Sequence, residues 1–215
     1  MRILGYDFNV VETLIAVNVL VALVTLFAPG WIYENFSLLP EAIARQPWTV
    51  FTSMFLHADL YRDSGHLLFN MIALFFFGLY LERLVGEREF LKIYFIGGLF
   101  AGVAYLATSL FLSIPPPDIA AVGASGAIFA VMGALVVLRP KLLIFVYFVP
   151  MPLYIYAILY TLWALTEMAG TMGTLGGVAH NAHLGGLIAG LYFGMRLKKK
   201  AVYDDGYGPK TYRGY

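Results

Sequence analysis

The chain has 215 residues, of which 60% are hydrophobic and 13% charged, with a net charge of +1 and no cysteine. A soluble domain carries roughly 25% charged residues, so a chain of this length and a mean hydropathy of +0.77 has more apolar surface than one soluble core can bury; the bilayer is the expected solvent. The near-neutral charge removes the electrostatic case for a nucleic-acid partner, and the missing cysteine excludes disulfides, thiolate metal sites and a cysteine nucleophile.

A membrane helix needs about 20 mostly apolar residues. Six stretches qualify. The first, residues 10–28, has no small-residue cleavage site after it and reads as a retained helix, not a signal peptide. Residues 29–65 carry Trp31, Tyr33, Phe36, Trp48, Phe51 and Phe55, an aromatic content that predicts a long outer loop lying partly in the headgroup region. His57 in that segment reads as a loop or interface residue. The second and third spans are residues 66–84 and 90–112, the latter ended by Pro115, Pro116 and Pro117. The fourth is 120–138. An apolar run at 142–149 either extends the fifth span, 150–166, or forms a re-entrant turn, with Pro150 and Pro152 marking a break. The sixth is 178–197. The sequence therefore predicts an all-α membrane protein of six helices, with one domain over residues 1–200. A polar, Gly- and Tyr-rich stretch, 201–215, reads as a disordered cytoplasmic tail.

Basic residues orient the bundle. With the N-terminus inside, 12 of the 14 Lys and Arg fall on inner segments, and only Arg45 and Arg62 fall outside. Both termini are thus expected in the cytoplasm, and the chain in the cell membrane.

Polar groups inside spans are costly and often functional. Their depths follow from counting back along three inward-running spans, at about 1.5 Å per residue, from Glu82, Arg139 and Arg196. Asn70 then lies about 18 Å, His66 about 24 Å, Ser125 about 21 Å and His183 about 20 Å from the inner anchors. Four polar residues on three helices share one level, in the outer half of a core about 30 Å thick. Only about 21 Å of helix follows Ser125, too little to cross. The loop from Pro115 must dip into the membrane, which is tolerated only where protein or trapped water covers it.

A serine hydroxyl needs a base. His183 is at the right level; His180, about 4.5 Å nearer the surface, is a weaker candidate, and Glu167 ends the fifth span too far out. The expected arrangement is a dyad without an acid. Phe129, four residues after Ser125 on the same helix face, is placed to pack on the imidazole. His66 and Asn70, also spaced by four, supply oxyanion donors, and the Ser125 N–H adds a third. Gly186, Gly190 and Gly194 form a close-packing face that draws the sixth span against the fourth.

GASGAIFA, AHLGGLIAG and HLLFN, in their positions on inward-running helices, together resemble the rhomboid family of intramembrane serine proteases. The resemblance covers residues from about Trp48 to Leu197. It implies a six-helix bundle, no cofactor and no metal, and hydrolysis of peptide bonds in or near transmembrane segments of other proteins. By matching position it implies Ser125 as nucleophile, His183 as base, and His66 and Asn70 as oxyanion donors. Gly123, Gly126, Phe129, Gly186 and Gly190 are supporting residues. Glu82 and Arg83, in LYLERLVGE, match a structural polar cluster. Phe129 departs from the tyrosine frequent at that position. The implied partners are transmembrane substrates and lipid. Rival readings are a catalytically inactive relative that binds membrane helices, a bis-histidine haem protein using His66 and His183, and a transporter. The haem reading leaves Ser125 and Asn70 unexplained, and the transporter reading lacks an inverted repeat and a buried acid.

Overall fold

The computed structural model describes residues 2–3, 6–7, 9–146, 148–170 and 179–203. A two-residue ladder pairs β1 (Arg2–Ile3) with β2 (Tyr6–Asp7). Helix α1 (Val10–Thr25) starts in a capping box: the Asn9 side chain accepts from the Glu12 N–H at 2.8 Å, and Glu12 accepts from the Asn9 N–H at 3.1 Å. The outer segment then folds as α2 (Pro29–Phe36), a 3₁₀ turn at Pro40–Ala42, α3 (Thr49–Thr52) and a second 3₁₀ turn at Ser53–Phe55.

Helix α4 (Leu60–Ala73) is broken at Asp63, whose φ of −150° and ψ of 75° are not helical. The Asp63 carboxylate accepts from the His66 N–H at 3.1 Å, so Asp63 caps the segment that carries His66 and Asn70. A π-helical stretch, Leu74–Gly78, leads into α5 (Leu79–Val85). Helix α6 (Glu87–Leu112) follows after Gly86, whose φ of +84° gives the sharp turn. The stretch Leu60–Val85 and α6 are long and apolar enough to cross a membrane.

The centre of the molecule is α7 (Ser125–Leu138), which buries nine of its residues and is apolar all round, the pattern of an enclosed helix. Large exposed apolar side chains lie on the other long helices, such as Leu20, Phe69, Phe76, Val103, Leu162 and Ile188, but not on α7 among the described residues. That distribution fits a bundle whose rim meets lipid. Next come β3 (Leu143–Val146) and β4 (Val149–Pro152), an antiparallel hairpin, then α8 (Leu153–Met168) and α9 (His180–Tyr203).

Helices α7 and α9 approach backbone to backbone. A β-carbon at Gly186 would fall on the Gly126 carbonyl oxygen, one at Gly190 on the Ala130 carbonyl oxygen, and one at Gly194 within 2.9 Å of the Ala134 carbonyl oxygen. The partners advance by four on both helices, so the two backbones stay in register over about two turns. Helix α6 closes the triangle in the same way, with Gly97 against Ala130, and Ala101 and Ala104 against Gly126 and Gly185.

Several expected boundaries shift. The first helix ends at Thr25, because Leu26 already caps it. The fourth begins at Ser125 and not at 120: residues before it are extended, with Ala121 bridged to Leu38. Residues 143–146 and 149 of the apolar run at 142–149 belong to the β3–β4 hairpin, so the run does not extend the fifth helix but turns back on itself, and β structure enters a chain expected to be all α. The fifth helix accordingly starts after Pro152. Helix α9 runs to Tyr203, three residues into the expected tail; 204–215 and Val178 lie outside the described residues.

Gly190→Ala should lower stability by about 2–3 kcal/mol, because backbone sits on both sides of the added methyl and neither can yield cheaply. Thermal melts in detergent check this, with Ile188→Ala, on the 59% exposed face of the same helix, as the comparison. Equal melting of Gly190→Ala and wild type would show that the two backbones are not in contact.

Candidate active site

Ser125 is the first residue of α7 and follows a pinned loop. Ala121 and Leu38 exchange both backbone hydrogen bonds, at 2.9 and 3.0 Å, and the Gly123 N–H donates to the Ser53 carbonyl at 2.9 Å. The Tyr105 hydroxyl donates to the Ile119 carbonyl at 2.9 Å. The non-helical approach to Ser125 is thereby satisfied by protein groups, the condition under which such backbone survives at depth. Gly123 has φ of +128°, a conformation that suits glycine alone.

The Ser125 Oγ and the His183 Nε2 lie 2.6 Å apart, with His183 in the first turn of α9. The glycine contacts between α7 and α9 make this distance possible, since any side chain in the seam would push the two helices apart. The Phe129 ring, one turn beyond Ser125, stacks on the imidazole with centroids 4.4 Å apart and planes 11° from parallel.

The ring of His66 is fixed from the other side. The Ala58 N–H donates to His66 Nδ1 at 3.0 Å, so the neutral ring carries its proton on Nε2. A β-carbon at Gly123 would be 3.1 Å from that Nε2 and 3.6 Å from the Ser125 Oγ, so the donor nitrogen and the hydroxyl flank the same α-carbon. Asn70 donates one amide proton to the His66 carbonyl at 2.7 Å and keeps the other for a different acceptor. A cavity of about 40 Å³ opens beside Ser125, lined by small groups such as Ser53, Gly98, Ala101 and Gly123.

Two side chains that sequence reasoning did not single out, Tyr160 and Asn181, complete the surroundings. The Tyr160 hydroxyl lies 2.6 Å from His183 Nδ1 and 3.2 Å from His180 Nδ1. His180, weighed as a second base, thus faces the tyrosine while His183 faces the serine. Asn181 donates to the Thr108 hydroxyl and, at 3.0 Å, to the Ile114 carbonyl, tying the start of α9 to the end of α6. Glu167 is not remote: it is buried, seven residues after Tyr160 on the same face of α8, and near enough to His180 to act on it electrostatically. Tyr160 shares α8 with Tyr154 and Tyr156, and only its burial, which the sequence does not show, marks it as the phenol that needs a partner. His57 lies in the irregular stretch between the 3₁₀ turn at Ser53–Phe55 and α4, as its loop reading expects, but it is buried there. It is 2% exposed, its ring lies 5.4 Å from that of His66, and neither of its nitrogens has a hydrogen-bond partner.

The two nitrogens of His183 face Ser125 and Tyr160, and the Nδ1 of His66 faces the Ala58 N–H. Among the described residues no cluster of three or more His, Cys, Asp or Glu is placed to hold a metal.

The rhomboid domain model matches residues 44–200. The chain belongs to the rhomboid family. Membership makes it a helical, membrane-embedded protein. It is 30% identical over 166 residues to "RHOMBOID-like protein 12, mitochondrial" of Arabidopsis thaliana, covering 70% of this chain and 46% of that one. It is 28% identical over 197 residues to "Rhomboid protein 1, mitochondrial" of Saccharomyces cerevisiae, covering 89% and 54%. It is 32% identical over 157 residues to "Rhomboid protease AarA" of Providencia stuartii, covering 66% and 53%. The rhomboid chain described here spans about half the length of these curated relatives.

Burial, reinforced by the neighbouring His66 ring, holds His57 neutral and lowers its pKa to about 4. The unfolded chain, with an ordinary histidine near 6.5, binds the proton first as pH falls, so stability drops between pH 6.5 and 4. His57→Phe should remove on the order of 2–3 kcal/mol of that acid-side loss. Melting temperatures of the two proteins across this range test it; parallel curves would mean that His57 titrates normally.

Proposed function

We propose that this rhomboid chain is an intramembrane serine endopeptidase that hydrolyses peptide bonds in or near transmembrane segments of membrane protein substrates. The observation that carries the proposal is the 2.6 Å contact between Ser125 Oγ and His183 Nε2, two groups from different helices meeting beside a cavity. In this reading the Ser125 hydroxyl donates to His183 Nε2 and attacks the substrate carbonyl as the imidazole takes its proton. The imidazolium then protonates the leaving amine, and a water activated by the same nitrogen hydrolyses the acyl-enzyme.

The oxyanion is assigned to the His66 Nε2–H, the free amide proton of Asn70 and the Ser125 N–H. The last is one of the helix-start donors that no carbonyl of its own helix can satisfy. The tautomer that Ala58 imposes on His66 supports its part, because it points a proton and not a lone pair towards the reacting centre. The cavity's volume of about 40 Å³ favours a small substrate side chain next to the cleaved bond.

The proposed spanning elements are α1, the continuous α4–α5 stretch, α6, α7, α8 and α9, a six-helix domain over residues 1–200 followed by a cytoplasmic tail. The basic residues favour both termini on the cytoplasmic side of the cell membrane. No cofactor enters the mechanism, and the partners are transmembrane substrates and lipid.

The test is cleavage of a model single-span substrate by purified protein in liposomes, together with fluorophosphonate labelling. Ser125→Ala and His183→Ala should each cost at least about 10³-fold in kcat, and Ser125→Ala should abolish labelling. His66→Ala and Asn70→Ala should each cost about 10²-fold. Cleavage by Ser125→Ala at the wild-type rate removes the serine mechanism. A folded wild type that neither cleaves nor labels leaves a relative that only binds membrane helices.

A further inference from the structure

We propose that Tyr160 and His180 continue the serine–histidine pair into a hydrogen-bond chain with a fixed direction, and that this direction keeps His183 in the tautomer a base requires. The inference rests on the Ser125–His183 reading above. It starts from a count of protons. A neutral imidazole has one N–H and one lone pair, and a phenol has one O–H and two lone pairs. If His183 Nε2 is to accept from Ser125, the ring proton must sit on Nδ1. The atom facing Nδ1 is the Tyr160 oxygen at 2.6 Å, which must then accept. The Tyr160 proton is displaced to its other neighbour, His180 Nδ1 at 3.2 Å, which must offer a lone pair and carry its own proton on Nε2.

The opposite direction is equally connected but disables the site. Were Tyr160 to donate to His183 Nδ1, the imidazole proton would move to Nε2 and point at the serine oxygen. The serine would then face a donor where it needs an acceptor. Tyr160 alone is indifferent between the two directions, because a hydroxyl turns freely. The proposal assigns the Nε2–H tautomer to His180, so that its Nδ1 presents an acceptor to Tyr160 and draws the phenol proton away from His183.

Solvent is poorly placed to do the same. Tyr160, His180 and His183 are 8%, 7% and 9% exposed. Phe129 lies against both Tyr160 and His183, with ring centroids 4.5 and 4.4 Å away, and the Trp163 ring meets His180 edge-on at 4.6 Å. The charged and titratable groups acting on the chain from outside it are Glu167, on His180, Tyr156, on Tyr160, and His66, on His183. Tyr160 and His180 touch neither serine nor substrate in this scheme; they are positioning residues, and no proton travels beyond His183.

The experiment compares wild type, Ser125→Ala, Tyr160→Phe, His180→Leu, His180→Gln and the double variant Tyr160→Phe/His180→Leu. Initial-rate cleavage in liposomes and the rate of fluorophosphonate labelling are the readouts, with melting temperature monitored throughout. Tyr160→Phe deletes one oxygen and keeps the ring. It should lower kcat about 10-fold to 100-fold with KM within about twofold, as loss of a partner that orients a reacting imidazole does. His180→Leu offers Tyr160 no acceptor and should fall to a similar level. His180→Gln restores an acceptor and should recover kcat to within a few-fold of wild type. The double variant should be no slower than Tyr160→Phe, because the two residues act through one bond chain.

Tyr160→Phe and His180→Leu enzymes with wild-type kcat would overturn the proposal. So would a His180→Gln enzyme as slow as His180→Leu, or fully multiplicative losses in the double variant. Should Tyr160→Phe fail to fold, the Gln-to-Leu ratio at position 180 decides alone. A wild type without activity, or Ser125→Ala cleaving as fast as wild type, strikes instead at the serine–histidine reading.

Discussion

At Gly190 the backbone of α9 lies so close to the Ala130 carbonyl of α7 that a β-carbon has nowhere to go, and the same holds at Gly186 against Gly126. In lipid, two apolar helices gain nothing by excluding the solvent around them, because the solvent is as apolar as they are; close packing of small residues is what is left to hold them. The glycine seam therefore does two jobs. It is the adhesive between α7 and α9, and it sets the separation at which a residue near the start of one helix reaches a residue at the start of the other. Ser125 and His183 both sit in first turns, just above the seam, and their 2.6 Å contact is a consequence of its tightness.

Two first turns at one level also decide where the polar backbone goes. A helix start leaves N–H groups without intrahelical partners, which is expensive in hydrocarbon and useful in a reaction that develops negative charge on oxygen. The chain approaching Ser125 would expose still more backbone. Leu38, Ser53 and Tyr105 supply its partners. The segment between α1 and α4 thereby supports the loop that carries Ser125. It also delivers the Ala58 N–H that sets the His66 tautomer. One irregular segment thus props two sides of the site, which gives a physical reason for its length.

Much of this was legible before any coordinates. Counting from Glu82, Arg139 and Arg196 works because a charged side chain near an inner helix end marks depth and α-helical rise is constant; it set Ser125, His183, His66 and Asn70 on one level. The glycine spacing was legible because a stripe four residues apart lies on one helix face. What sequence could not supply was anything depending on the rotation of one helix against another. Tyr160 sits in an apolar helix rich in tyrosine, where it looks like any other ring that likes an interface. Only the packing of α8 on α9 aims its hydroxyl at two imidazoles. The burial of His57 was hidden for a related reason: its segment reads as an outer loop, and burial within a loop has no periodic signature. The hairpin at Leu143–Pro152 was hidden by composition, since a short apolar run serves helix and strand equally.

Among the described residues no acid sits directly behind His183, and the environment gives a physical reason. The buried carboxylate nearby, Glu167, acts on His180 at the far end of the chain; a carboxylate against His183 itself would need its charge compensated while the site rests, and each compensating group would itself need burying. A phenol facing an imidazole asks for none of this. Each group in the proposed chain is neutral at rest, each carries one proton to give, and the acceptor at its end, His180, lies nearest the surface. What is given up is the full negative charge that would steady the imidazolium at the moment of reaction; the Tyr160 oxygen offers only a dipole. The trade suits the proposed catalyst, whose other electrostatic resources, the helix-start N–H groups and the fixed His66 ring, are assigned to the oxyanion, where the larger part of the stabilisation in acyl transfer is to be had.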